Sequence, residues 1–121
     1  MDLVLSLHGR VGLALVLYYT FVGLWAILQG IRDRGPDASL RGAIAIATIA
    51  AVVQGALGVL VFLFRGAPAD PVHILYGLAL AIAMPLAATL VRDRTPRGQS
   101  IALGLAALFT AGLAIRGITT A

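Results

Sequence analysis

Two histidines, His8 and His73, are the residues of this 121-residue chain whose type and spacing best suit chemistry. Each is followed one helical turn later by a glycine, Gly12 after His8 and Gly77 after His73, and each stands near the start of a long apolar run. Neutral imidazoles are common axial ligands of haem iron, and two at one depth, facing each other across a bundle core, would hold the iron from both sides. Residues four apart share a helix face, so Gly12 and Gly77 would leave a slot for the flat macrocycle beside each ligand. The plainer reading of a histidine at a membrane boundary is a solvated interfacial side chain. The matched pair points instead to haem b (iron protoporphyrin IX), with His8 and His73 as metal ligands.

The remaining polar residues are weighed against that site. Arg10, Arg65 and Arg116 fall at the same helix ends as the histidines, where they could pair with haem propionates by charge-assisted bonds. Their alternative role is snorkelling to lipid phosphates. Gln54 lies near the middle of the second run, where a buried amide needs a partner on another helix; contact with the cofactor is the second option. Tyr18, Tyr19 and Tyr76 read as packing residues able to line a pocket. No carboxylate falls inside an apolar run, since Asp2, Asp33, Asp37, Asp70 and Asp93 lie in tails and connections. No catalytic residue is assigned: triads and phosphate-binding glycine loops are absent, and two nitrogens without cysteine are a poor zinc set.

Four apolar runs must position these residues: Leu3–Gly30, Ala43–Phe64, Val72–Val91 and Ser100–Ile118. Each is long enough to cross about 30 Å of hydrocarbon at ~1.5 Å per residue. With 60% hydrophobic residues, 12% charged residues and a mean hydropathy of +1.00, the natural solvent is a membrane. Short connections turn each helix straight back, so the expected fold is all-α, an integral membrane antiparallel four-helix bundle in a single domain over residues 1–121. Counted from the opposite helix ends, His8 and His73 then lie at nearly the same level.

All nine basic residues are arginine, and they cluster between the apolar runs, as membrane-flanking anchors do. The chain is therefore not expected to bind nucleic acid. Arg32, Arg34 and Arg41 in the first connection and Arg92, Arg94 and Arg97 in the third outweigh Arg65 alone in the second. The positive-inside rule puts the first and third connections in the cytoplasm, with both termini outside a membrane that is expected to be a prokaryotic cytoplasmic one. A cleaved signal peptide is not expected, because no basic region precedes the first run. With no cysteine, the chain has no disulfide, thiolate-held cluster or c-type haem attachment.

The arginine-rich connections resemble each other: Arg32-Asp33-Arg34-Gly35-Pro36 is matched by Arg92-Asp93-Arg94-Thr95-Pro96. With the two His-x-x-x-Gly units, this suggests two repeated helical hairpins, chance similarity being the alternative. Pro36, Pro68, Pro71 and Pro96 are expected in loops, and Pro85 is expected to kink the third helix. Gly55, Gly58, Gly104 and Gly112 would permit close helix contact, and Trp25 suits an interfacial anchor.

Three segments resemble the heme A synthase family: His8-Gly9-Arg10, Gln54-Gly55-Ala56-Leu57-Gly58, and Val72-His73. They occur in the family's order and at similar spacing, and the match spans roughly residues 7–92, one half of that internally duplicated eight-helix protein. The resemblance implies that His8 and His73 match the family's axial haem ligands. Departures accompany it. Leu5 stands where the family usually carries an acidic residue, Gly9 separates His8 from Arg10, and the family's preceding helix is replaced by one that follows.

These readings converge on a membrane-embedded b-type haem protein with bis-histidine ligation, serving electron transfer as a cytochrome b-like carrier. Six-coordinate iron needs no open position, so catalysis is not required of it. One alternative is a cofactor-free accessory subunit of a respiratory or photosynthetic membrane complex. Another is a half-size heme A synthase relative. The expected partners are the lipid bilayer and either a second copy or a larger membrane complex, with the small residues Ala102, Gly104, Ala106, Ala107, Ala111, Gly112 and Ala114 of the fourth helix as the contact.

Overall fold

The structure, a computed structural model, describes residues 2–121. It contains α1 (Asp2–Ile31), α2 (Ala38–Arg65), α3 (Val72–Leu90) and α4 (Pro96–Thr120). All four are long and apolar enough to cross a membrane. They pack as a bundle in cyclic order, each helix packed along its two neighbours, while the backbones of the diagonal pairs α1/α3 and α2/α4 stay apart.

The helices begin and end for local reasons. At the start of α2 the Asp37 carboxylate accepts the Leu40 N–H at 2.8 Å, and at the start of α4 the Thr95 hydroxyl accepts the Gly98 N–H at 3.1 Å. Both helices therefore start earlier than their apolar runs, because a capped polar first turn is helical without being hydrophobic. Arg41 and Arg97 belong to these first turns rather than to loops. Pro96 is likewise not a loop residue: it opens α4 at the first helical position, where its missing N–H costs nothing. Pro85 lies within α3, which stays helical through it. Gly66, at φ +87°, ends α2 in a conformation that side chains rarely adopt.

The close seam is α1 against α4. A Cβ built on Gly23 would meet Leu108 at 2.8 Å and the Gly104 carbonyl at 3.0 Å; one on Gly104 would meet the Gly23 carbonyl at 2.8 Å. Only paired glycines allow this approach, in a solvent that gives apolar helices no reason to associate beyond packing and hydrogen bonds. Ala107, Ala111 and Ala114 are buried in the same chain's core. Most of the small-residue surface expected on the fourth helix is thus used inside the bundle, because small side chains are what the α1–α4 seam itself requires. Gly112, with nothing within 4 Å of a built Cβ, lies off that seam.

Hydrogen bonds tie α1 to α2. The Tyr18 and Tyr19 hydroxyls donate to the Ala43 and Ala47 carbonyls at 2.9 and 3.1 Å, and Tyr19 is fully buried. Outward faces remain apolar, with Phe21, Ile49, Leu63, Phe64, Leu75 and Phe109 all more than 60% exposed. In water such a surface would drive aggregation; here it meets the lipid bilayer, and the chain is an integral membrane protein.

Candidate functional site

The two histidines come together. His8 on α1 and His73 on α3 have ring centroids 6.0 Å apart with an interplanar angle of 76°. Their helices are diagonal in the bundle, so the rings meet across its interior, at the end away from the arginine-rich connections.

α4 orients His73. Its Nδ1 lies 2.7 Å from the Gly117 carbonyl oxygen, with the Thr120 hydroxyl at 3.4 Å. A carbonyl only accepts, so Nδ1 carries the proton and donates it, which leaves the Nε2 lone pair for another partner. Metal-bound histidines usually show this arrangement.

α2 orients His8. A Cβ on Gly58 would lie 3.1 Å from His8 Cε1, so the missing side chain lets the ring rest against the α2 backbone. One turn earlier, Gln54 Nε2 donates to the His8 carbonyl at 2.8 Å. Among the described residues, His8 Nδ1 and Gln54 Oε1 are the buried side-chain polar atoms left without a hydrogen-bond partner. Both belong to the two residues joined by the Gln54–His8 carbonyl bond.

The two glycines expected to flank a macrocycle differ. Nothing lies within 4 Å of a Cβ built on Gly77, which is exposed. At Gly12 the space is taken, because a Cβ would be 3.0 Å from Gln54 Nε2. A side chain at Gly12 would therefore press on the Gln54 amide that bonds the His8 carbonyl.

The three arginines at this end also differ. Arg65 is paired with Asp2. Arg116 is held over the Tyr76 ring, 5.7 Å from its centroid, and reaches Thr119 Oγ1 at 3.4 Å. Arg10 is exposed. A separate groove of about 140 Å³ between α1 and α2, lined by Val11, Leu15, Tyr18, Ile46 and Ala50 among others, is almost wholly apolar. Its one polar side chain, Tyr18, already donates its hydroxyl to the Ala43 carbonyl.

Gly58 and Gly117 contribute to the site in ways the sequence reading did not identify. Gly58 stands in the Gln54–Gly58 segment, and its spacing of one turn from Gln54 was the available signal. Gly117 acts through a backbone carbonyl, which any residue type carries and no sequence pattern marks.

No family model, curated protein or solved structure matches the chain. The likeness to heme A synthases therefore rests on the three short segments alone.

Proposed function

We propose that this four-span membrane protein binds one b-type haem between His8 and His73 and serves electron transfer. The approach of the two imidazoles across the bundle is the observation that carries the reading. Metal–imidazole bonds of about 2.0–2.1 Å on either side of one ion set ring centroids roughly 6 Å apart, the separation found here. The 76° angle is compatible, since each ring can turn about its bond to the metal. No group of three or more histidine, cysteine or acidic side chains that could cage a free metal ion occurs among the described residues. Two opposed imidazoles suit a metal whose other four ligands arrive with it, as they do in a porphyrin.

The residues have distinct tasks. His73 offers Nε2 because Gly117 fixes its proton on Nδ1. His8 is seated by Gly58, and its backbone carbonyl is held by Gln54 Nε2. Arg116, positioned by Tyr76, and Arg10 are cations available to carboxylates at this end of the bundle. Arg65 is available once shared with Asp2. When bound, the haem supplies a one-electron couple, and the surrounding apolar helices hold it away from water.

The test is a visible spectrum of the protein purified from haem-replete cells. Sharp reduced α and β bands of a low-spin b-type haem are expected, and they should vanish in both His8→Ala and His73→Ala. A colourless protein that stays empty after haem titration would overturn the proposal.

A further inference from the structure

The arginine-rich end holds a second site with no connection to the histidines. α1 ends in a turn in which Asp33 adopts the left-handed conformation at φ +59°. The Arg34 N–H bonds back to the Gln29 carbonyl at 2.8 Å and the Asp33 N–H to the Gly30 carbonyl at 3.0 Å, the paired bonds of a Schellman motif. The Arg34 carbonyl in turn accepts the hydroxyl of Ser100, a fully buried residue of α4, at 2.7 Å. The backbone of Arg34 is thus fixed from both sides.

This turn folds Arg34 over the last face of α1 and encloses a groove of about 100 Å³ lined by Trp25, Leu28, Gln29, Arg32 and Arg34. No hydrogen bond or ion pair to a protein acceptor involves the guanidinium of Arg32 or Arg34 among the described residues. The Asp37 carboxylate, beyond the turn, already accepts the Leu40 N–H at 2.8 Å and the Gln29 carboxamide at 3.1 Å. Two free planar forks, an indole and a leucine at a membrane-facing helix end match the parts of a lipid: phosphate, interfacial region and chain. At about 30 Å³ per water in the liquid, the groove has room for a headgroup phosphate but not for a whole lipid, whose chains would run along Leu28 into the bilayer.

We infer that the Trp25–Arg32–Arg34 groove binds the phosphate of an anionic phospholipid. Charge favours that source, since each arginine near an anionic leaflet is worth roughly fivefold in attraction to its surface. The third connection, of similar sequence, does not repeat the turn. There Gln99 Nε2 donates to the Arg92 and Arg94 carbonyls, and Asp93 does not adopt the left-handed conformation of Asp33.

Trp25 is the only tryptophan, so its fluorescence reports the groove directly. The full chain is placed in nanodiscs of phosphatidylcholine containing equal mole fractions of tail-brominated phosphatidylglycerol or tail-brominated phosphatidylcholine. Quenching should be several-fold greater with the anionic lipid. R32Q/R34Q should abolish that excess, and R92Q/R94Q, which removes the same charge from the same end, should retain it. Equal quenching by the two lipids in the wild-type protein would overturn the inference, whatever the variants do. Equal loss of the excess in both double variants would also overturn it, in favour of diffuse surface attraction. If millimolar inorganic phosphate erases the preference, the groove is a free-anion site and the lipid assignment fails. None of these outcomes depends on haem.

Discussion

Gln54 on α2 is bonded to the backbone of His8 on α1, its Nε2 donating to the His8 carbonyl at 2.8 Å, while Gln54 Oε1 and His8 Nδ1 are both left buried and unpartnered. Replacing Gln54 by leucine removes one interhelical hydrogen bond, worth about 0.6 kcal/mol on average in a membrane. Thermal stability should therefore change little. Haem retention should change more: the loss of a group that orients a metal-bound histidine typically costs roughly 10–100-fold in affinity. Haem titration of Gln54→Leu, read beside its melting curve, checks both halves. Wild-type haem affinity would restrict Gln54 to holding α1 against α2.

Gly58 sets the place of the His8 ring, since even a Cβ there would lie 3.1 Å from Cε1. Gly58→Val should push the imidazole off its seat and convert the low-spin spectrum to high-spin or haem-free, with helical content unchanged by circular dichroism. Gly55→Val is the control. Nothing lies within 4 Å of a Cβ at Gly55, so its spectrum should match the wild type.

The seam between α1 and α4 makes the opposite prediction, loss of fold before loss of ligand. Gly104→Leu forces a side chain into the Gly23 carbonyl and the Ile27 backbone, where overpacking typically costs about 1–3 kcal/mol. Gly112→Leu, one helix face away and in open space, should cost far less. Unfolding in mixed micelles should rank Gly104→Leu well below Gly112→Leu, and equal stability would show that α1 and α4 pack less closely than described.

Much of this architecture is legible in the sequence because lipid imposes one strong rule, that spanning segments be long, apolar and helical. Hydropathy alone nevertheless misplaces the starts of α2 and α4, whose first turns are set by Asp37 and Thr95. The meeting of His8 and His73 follows from their matched depth on parallel diagonal helices. Gly12 is different: its spacing from His8 suggests a macrocycle slot, but its close approach to Gln54, a residue of another helix, follows from no spacing along α1. The likeness of the two Arg-Asp-Arg segments also fails to carry conformation, because what closes each turn, Ser100 in one case and Gln99 in the other, lies outside the repeated residues.

Asp37 gives a dependence on pH outside the membrane. The Leu40 N–H that it caps, followed by the Gln29 carboxamide and the positive charge of Arg34, holds its carboxyl below the ordinary carboxylate range. A lowered folded value means that the cap's charge-dependent stabilisation is fully present above the unfolded carboxyl value of about 3.9. It is lost as pH falls through the lower folded value. Asp37→Asn keeps a capping oxygen without the charge. The melting temperature of the wild type should fall more than that of Asp37→Asn as pH is lowered from neutral through this window. Parallel curves would show that Asp37 stabilises α2 by geometry alone.

Gly77 offers the cleanest separation of fold from ligand binding. It follows His73 by one turn on α3, is exposed, and has nothing within 4 Å of a built Cβ. A leucine there meets no neighbour, replaces glycine in a helix interior where glycine is unfavourable by about 1 kcal/mol, and should leave the bundle as stable as before or more so. If the macrocycle extends over this face of α3, the same leucine occupies its space, and haem should be lost although both histidines remain. Gly12→Leu cannot be read so simply, because its side chain would strike Gln54 and disturb the His8 carbonyl contact whether or not haem is bound. The informative pair of measurements is haem content and melting temperature for Gly77→Leu. A stable, haem-free protein places the cofactor against α3 beside His73. A stable protein with full haem content places it away from Gly77, and the glycine then has no part in the site.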